Sequence, residues 1–308
     1  MTQIGLMIEG QFGLTWERWQ RLLKAAEDYG FQCVFRSDHF TIGPPDMESL
    51  ETFVSLTYAA SNTKRIEFGS LVAPTTFRHP AMTTRMAAAI DDLSGGRLVL
   101  GLGVGWHERE HKQFGVPFYD KAIRFEMFED ALEITTRLLK SDVPVSYTGK
   151  HFSLDEAILL ARPQRPGGPR LLIGGNGPKR TLPLVAYYAD EWNAVGIAAS
   201  EVKTRNTLLD NLLTECGRKP SDVKRSFMSR IFYGKTDADL QAKLAKESGS
   251  PQTDADPNHF VGTGSQVVDQ ISKFVEAGVE RFMLQWNEFD DLAGIESLAK
   301  EVLPHFHK

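Results

Sequence analysis

Strand-like and helix-like segments alternate along this chain, and this alternation constrains its fold more than any other feature. Short apolar runs occur at residues 4–9, 33–36, 66–72, 98–104, 171–173, 192–195, 225–233 and 281–285. Segments with helical periodicity lie between them. Eight strand candidates separated by helices in 308 residues are typical of a TIM (β/α)8 barrel. We therefore predict an α/β fold in which residues 1–308 form one TIM barrel domain.

An open Rossmann-like sheet is the alternative fold. It would require a Gly-x-Gly-x-x-Gly motif after the first strand, and Gly5 and Gly10 are not spaced in that way.

Two segments interrupt the alternation, and we predict them as insertions into the barrel. Residues near 145–154 have the pattern of a small hairpin, with Gly149 and Lys150 at its turn. Residues near 248–262 are rich in Gly, Ser, Pro and Asp, which predicts a loop that can act as a lid over a substrate.

Composition and charge argue against several classes of partner. The formal net charge is −5 and no run is rich in Lys or Arg, so we expect no nucleic-acid partner. No apolar stretch approaches the roughly 20 residues that span a bilayer, and the first residues lack the pattern of a signal peptide. These features predict a cytoplasmic protein that does not bind membranes.

The cysteines and the clustered histidines do not predict a metal site. Cys33 and Cys216 supply neither a disulfide framework nor a metal cluster. His107 and His111 flank Glu108, but no third ligand accompanies them. We therefore predict no metal ion.

An Asp-His pair follows the second predicted strand, in the run from Arg36 through Ser37, Asp38 and His39 to Phe40. An imidazole that titrates near neutrality beside a carboxylate can donate, accept or orient a proton. Active sites of TIM barrels lie at the carboxyl ends of the strands. We therefore predict a functional role for this pair, although a capping aspartate and a packed histidine would have the same sequence.

Two glycine clusters follow later strands. Gly101, Gly103 and Gly105 alternate, which leaves one face of a strand open to a flat ring, although barrel packing also favours small residues. Residues 174–177, Gly-Gly-Asn-Gly, precede Pro178 and a predicted helix. Such a turn at a helix amino terminus is typical of a phosphate site, and a simple turn has a similar composition.

Five segments together resemble the bacterial-luciferase-like superfamily. They are residues 37–40 (SDHF), 74–80 (PTTFRHP), 91–97 (DDLSGGR), 101–106 (GLGVGW), and 173–175 (IGG) with 189–193 (ADEWN). The resemblance covers essentially the whole chain in order. It implies a TIM barrel, often a homodimer, that binds a flavin or the deazaflavin coenzyme F420. The SDHF segment and residues 105–111 (GWHEREH) are most similar to the F420-dependent oxidoreductases.

The resemblance also implies roles for particular residues. Asp38 and His39 match the cofactor-side pair, in which His39 handles a proton or orients the substrate. Ser70 and Leu71 match a bulge that carries a non-prolyl cis peptide behind the ring, and Ala73 matches a position that often holds a hydroxyl. The other implied cofactor contacts are Gly103, Gly105 and Trp106 along the ring and its tail, and Gly174, Gly175 and Asn176 at the phosphate.

Trp106 departs from the pattern of the sugar-phosphate dehydrogenases in this branch, which have an acid at this position. The departure argues against sugar-phosphate oxidation. It leaves Glu9 or Glu108 as the candidate proton donor.

The implied function is hydride transfer between C5 of coenzyme F420 and a small organic substrate, with a separate enzyme reducing the cofactor. The first alternative is an FMN-dependent monooxygenase that uses reduced flavin and O2. The second is a non-enzymatic protein, either a cofactor-binding barrel or a degenerate one. Neither the substrate nor the direction of hydride transfer can be read from the sequence.

Overall fold

The computed structural model describes residues 2–160, 162–247 and 259–306, and its centre is a ring of parallel strands. The strands are β1 (Gln3–Ile8), β2 (Cys33–Arg36), β3 (Glu67–Ser70), β4 (Leu98–Gly103), β5 (Arg170–Gly174), β6 (Glu191–Val195), β7 (Lys224–Tyr233) and β8 (Arg281–Gln285). Each strand pairs in parallel with the next. Strand β8 also pairs with β1, where Arg281 lies opposite Gln3. The sheet is closed, which confirms the predicted TIM barrel and excludes the open sheet.

Helices surround the barrel, and their ends follow local sequence signals. They are α1 (Trp16–Asp28), α2 (Thr52–Asn62), α3 (Pro80–Leu93), α4 (Glu108–Gln113), α5 (Lys121–Lys140), α6 (Thr181–Tyr188), α7 (Ala199–Glu215), α8 (Asp237–Glu247), α9 (Gly264–Glu276) and α10 (Leu292–Val302). Thr15 caps α1 through its hydroxyl, and Gly30, with φ of +90°, follows the end of that helix. Within the described ranges, none of these helices has the length and hydropathy needed to cross a membrane.

Helix α2 begins later than the sequence predicts. The sequence pattern predicts a helix over residues 48–61, but α2 begins at Thr52, with the side chain of Glu51 capping its first turn. The preceding backbone has a longer-range partner, because the Leu50 carbonyl accepts a hydrogen bond from the buried guanidinium of Arg36 at 2.8 Å. This contact holds the segment as a loop beside the barrel mouth.

The third strand is shorter than predicted. Residues 66–72 were expected to form it, but β3 ends at Ser70 and a cis peptide bond joins Leu71 to Val72. The chain then rejoins the sheet at Ala73–Pro74, which pairs with β4. The cis bond therefore lies at the carboxyl side of Leu71, in the segment where the resemblance implies a bulge with a cis peptide.

The predicted hairpin is confirmed. Val145–Thr148 and Ser153–Ala157 pair in antiparallel fashion. Asp130 on α5 anchors the hairpin by accepting hydrogen bonds from the Tyr147 hydroxyl and the His151 amide, both at 2.7 Å.

The predicted loop near 248–262 needs a correction at its end. Residues 248–258 lie outside the described part of the chain, whereas Phe260–Gly262 forms a short strand along β7. The side chain of Gln270 binds both backbone groups of Val261, at 3.0 and 2.8 Å. That pairing satisfies the exposed edge of the short strand, so the loop prediction is wrong for these residues.

A buried ionic cluster lies at the amino-terminal end of the barrel. Arg281 is fully buried; its guanidinium donates to Gln3 at 2.8 Å and to Glu67, and lies 3.2 Å from a carboxylate oxygen of Glu191. These residues belong to β8, β1, β3 and β6, so the contacts join different sides of the ring. Each buried charge depends on its partners, because an unpaired charge in this environment is strongly unfavourable.

We predict that Arg281→Met lowers the free energy of unfolding by about 3–5 kcal/mol, because the buried carboxylate of Glu191 loses its cationic partner and the partly buried Glu67 loses one of its two. Urea unfolding at neutral pH measures the change. Lys24→Met removes the exposed ion pair with Asp28 and serves as a control, with a much smaller expected loss, because water screens this pair. Similar losses in both variants would contradict a special role for the buried cluster.

Candidate active site

A cavity of about 1140 Å³ opens at the carboxyl ends of the barrel strands. Every strand, or the loop directly after it, contributes to the wall. In order from β1 to β8, the contributions include Glu9, His39, Leu71, Gly103, Gly174, Asn193, Arg230 and Gln285. The volume exceeds the roughly 300–1,000 Å³ of an ordinary small-molecule pocket, so a large cofactor and a substrate can share it.

The structure separates the predicted site residues into two groups. One group lies on the cavity wall and consists of Glu9, His39, Leu71, Gly103, Gly105, Trp106, Gly174 and Gly175. The other group lies behind the wall or outside it and consists of Asp38, Ser70, Ala73, Glu108 and Asn176. These side chains bind other groups, pack in the core or face the solvent, so their predicted contacts with a cofactor or substrate gain no support from the geometry.

The side chains of Asp38 and Asn176 fix two loops that border the cavity. Both oxygens of the buried Asp38 carboxylate bind the guanidinium of Arg78, at 2.5 and 3.2 Å. The side-chain amide of Asn176 donates to the Val195 carbonyl at 2.7 Å and accepts from the Val195 amide at 3.1 Å. One residue fixes the loop after β2, and the other ties the glycine loop after β5 to strand β6.

The remaining residues of this group face the barrel wall or the solvent. The Ser70 hydroxyl donates to the Gly101 carbonyl at 2.9 Å and accepts from the Gly101 amide at 3.1 Å. Ala73 is buried where it pairs with Leu102. Glu108 begins α4 with an exposed side chain, which leaves Glu9 as the candidate acid on the wall.

His39 is held by the carboxylate of Glu110, a residue that the sequence did not predict as part of the site. Its Nδ1 lies 2.7 Å from one oxygen of Glu110, and the other oxygen accepts the Phe40 amide at 2.8 Å. Burial alone would lower the pKa of His39, but the hydrogen bond and charge of Glu110 raise that pKa above its ordinary value. Because Nδ1 is engaged, Nε2 is the ring nitrogen left for a ligand in the cavity.

Nothing in the sequence distinguishes Glu110 from Glu108. Both lie in α4, a helix of six residues that is too short and too polar to show an apolar period. Only the folded chain shows that the side chain of Glu110 is 1% exposed while Glu108 faces outward. The cavity cations Lys121, Arg124 and Arg230 were missed for a similar reason, because single basic residues carry no local signal.

Two glycines shape an apolar support on one side of the cavity. A Cβ atom at Gly103 would lie 2.4 Å from Val72 Cγ2, and one at Gly174 would lie 3.2 Å from Val72 Cγ1. Because residue 103 is glycine, the side chain of Val72 has room beside it. Val72 follows the cis peptide bond from Leu71. This cradle of Leu71, Val72, Gly103 and Gly174 fits a flat ring lying against it.

Basic groups and a helix amino terminus lie at another side of the cavity. Lys121, Lys179 and Arg180 line it, together with Thr181 at the start of α6. The Arg180 guanidinium lies 4.2 Å from the ring centre of Phe125, which restricts its position. Amides in the first turn of a helix have no partner within the helix and bind anions well. This region fits a phosphate group.

The histidines of α4 do not form a metal centre. Residues 107–111, His-Glu-Arg-Glu-His, have the spacing of a zinc-protease motif. However, His111 is fully buried, with Nδ1 bound to the His107 carbonyl and Nε2 bound to the Thr76 hydroxyl, both at 2.8 Å. Among the described residues, no group of three or more His, Cys, Asp or Glu side chains could hold a metal ion.

The model of the luciferase-like monooxygenase family matches residues 2–281. The chain belongs to this family. The F420-dependent hydroxymycolic acid dehydrogenase of Mycobacterium tuberculosis is 32% identical over 302 residues, which cover 91% of this chain and 82% of that protein. This relative supports the predicted F420-dependent branch of the family.

Two further proteins show the range of the family. The F420-dependent secondary alcohol dehydrogenase in complex with an F420-acetone adduct shares the fold, with a TM-score of 0.86 and 21% identity over 100% of this chain and 99% of that one. The 4-hydroxyprotoasukamycin monooxygenase of Streptomyces nodosus subsp. asukaensis is 30% identical over 161 residues. That match covers 52% of this chain and 42% of the monooxygenase.

We predict that Gly103→Ala weakens the binding of a flavin-type ring at least tenfold, because the new methyl displaces Val72 toward the cavity. Fluorescence titration with coenzyme F420 and with FMN measures the affinity. Gly43→Ala is the matched control, since its added methyl meets no atom within 4 Å, and it should bind like the parent chain. Unchanged affinity in Gly103→Ala would mean that no ring lies against this wall.

Proposed function

We propose that this protein is a coenzyme F420-dependent oxidoreductase that interconverts an alcohol and a carbonyl compound by hydride transfer. The observation that carries the proposal is that His39, held from behind by the buried Glu110, lies on the same cavity wall as a glycine-lined cradle and a basic rim. The alcohol and carbonyl class is supported by the names of the hydroxymycolic acid dehydrogenase and the secondary alcohol dehydrogenase.

The cavity residues would divide the work between holding the cofactor and handling a proton. When bound, the deazaflavin supplies a carbon, C5, that accepts or releases a hydride. Leu71 and Val72 would support one face of its ring, and the glycine loop before α6 would hold its phosphate. His39 would take the proton from the substrate hydroxyl at Nε2 during oxidation and return it to the carbonyl oxygen during reduction.

The distribution of charge on the wall favours coenzyme F420 over FMN. Coenzyme F420 continues beyond its phosphate into an anionic glutamate tail, whereas FMN ends at the phosphate. Lys121 and Lys179 are exposed cations on the cavity wall, in addition to the helix amino terminus that suits the phosphate itself. Two such cations suit a ligand whose negative charge extends past one phosphate.

A comparison of the two cofactors tests this proposal directly. We expect micromolar or tighter binding of coenzyme F420, and reduction of F420 by a secondary alcohol without oxygen uptake. Absorbance of the deazaflavin and an oxygen electrode follow the two processes. Tight binding of reduced FMN with substrate-dependent oxygen consumption would instead support an FMN-dependent monooxygenase. The half-chain match to the 4-hydroxyprotoasukamycin monooxygenase is consistent with the monooxygenase class.

We also predict that the double variant Lys121→Gln, Lys179→Gln weakens F420 binding about tenfold, since each exposed ion pair contributes up to about 1 kcal/mol. FMN binding should change less, because FMN has no tail. Lys140→Gln with Lys203→Gln removes the same charge from exposed helix positions away from the cavity and serves as the control. Equal weakening for both ligands would contradict a tail site at these lysines.

A further inference from the structure

Three consecutive residues of α4 attach this short helix to different parts of the barrel mouth. Arg109 donates to both oxygens of Asp46 in the loop after β2, at 2.7 and 2.8 Å. His111 binds Thr76 in the loop after β3, at 2.8 Å. Between them, Glu110 reaches His39, also after β2. The contacts of Arg109 and His111, the two neighbours of Glu110 in the helix, therefore fix the position of its carboxylate.

We propose that Glu110 is a positioning residue that holds His39 with its proton on Nδ1, so that the lone pair of Nε2 faces the cavity. The proposal deepens the function proposed above and rests on it. Glu110 has 1% of its side chain exposed and does not line the cavity. It therefore acts through His39 and not on a ligand.

The geometry determines which ring nitrogen carries the hydrogen. The carboxylate uses one oxygen to accept the Phe40 amide, at 2.8 Å, so it is held in one orientation. An ionised carboxylate has only acceptors, so the nitrogen 2.7 Å from its other oxygen must donate. This is the arrangement in which a carboxylate orients a catalytic imidazole and stabilises its protonated form.

The other charged groups around His39 do not replace Glu110. Glu9 and Asp38 also favour the protonated ring electrostatically, but Asp38 is paired with Arg78. His107 packs edge-on to the ring of His39, with 6.1 Å between centroids, and opposes its protonation when it carries a charge of its own. Among the described residues, Glu110 is the hydrogen-bond partner of the His39 ring.

During oxidation of an alcohol, this arrangement handles the proton of the substrate. The O–H bond of the alcohol would break and its proton would bond to Nε2. The C–H bond of the hydroxyl-bearing carbon would break as well, a bound deazaflavin would supply C5 as the acceptor of that hydride, and a carbonyl compound would result. The imidazolium that forms is stabilised by Glu110 through Nδ1. In the reverse direction the same imidazolium returns its proton to the carbonyl oxygen.

Glu110→Gln tests the proposal because it preserves size and changes hydrogen bonding. The amide oxygen can still accept from Phe40, which turns the NH2 group toward Nδ1 of His39. That donor requires a lone pair on Nδ1, so the hydrogen moves to Nε2. We expect long-range 1H–15N spectra of the histidine-labelled, cofactor-free protein, measured above the raised pKa of His39 so that the ring is neutral, to show Nδ1–H in the parent chain and Nε2–H in the variant.

The spectra separate this proposal from the proposed function. His39→Gln assigns the signal, and Glu215→Gln, an exposed change at the end of α7, is the control that should leave the tautomer unchanged. If coenzyme F420 does not bind the parent chain, the proposed function fails while the tautomer is still measured. The same tautomer in the parent chain and in Glu110→Gln would overturn the role of Glu110.

Kinetics give a second readout if the parent chain oxidises alcohols with F420. Glu110→Gln should lower kcat by about a hundredfold or more with little change in cofactor affinity, because a correctly oriented acid-base group contributes roughly that factor. The pH profile should also lose the ionisation assigned to His39. Glu110→Asp keeps the carboxylate and should retain Nδ1–H, so it remains informative if the glutamine variant does not fold. An unchanged pH profile in a folded Glu110→Gln would contradict the proposal.

Discussion

Closure of the sheet between β8 and β1 is the constraint on which the rest of the structure depends. All strands run in the same direction around the ring, so each of them delivers its carboxyl end to one rim. Residues distant in sequence therefore meet there, and His39 contacts Glu110 across a separation of 71 positions. The ionic cluster around Arg281 joins β8, β1, β3 and β6 at the opposite end, so it supports the same closure.

The two ends of the barrel use buried charge in different ways. At the amino end, Arg281 is fully buried among strand residues and does not line the cavity. At the carboxyl end, the loops after β2, β3 and β4 must be held together without a strand between them, and α4 does this through side chains. Pairing charges within the first cluster stabilises the fold, whereas the pairing of Glu110 with His39 leaves one ring nitrogen directed to a ligand.

The sequence predicted the barrel well because its strands are apolar and its helices amphipathic, and β2 and β8 lie where expected. Errors arose where long-range contacts override local preference. The carbonyl of Leu50 binds Arg36 and delays the start of α2. Gln270 satisfies Val261 and allows a short strand in a segment with the composition of a loop. Glu110 could not be found from the sequence, because its partner is supplied by a different strand end.

The sequence motifs also do not show which of two adjacent residues faces the cavity. Adjacent residues of one motif have different positions. His39, Leu71 and Gly175 line the cavity. Their neighbours Asp38, Ser70 and Asn176 bind backbone or side-chain groups behind the wall. Successive residues of an extended chain point in opposite directions, so a motif of two adjacent residues usually supplies one wall residue and one anchor. A change at an anchor should therefore act by moving the neighbouring wall residue, and its effect depends on the rigidity of the loop more than on the chemistry of the side chain.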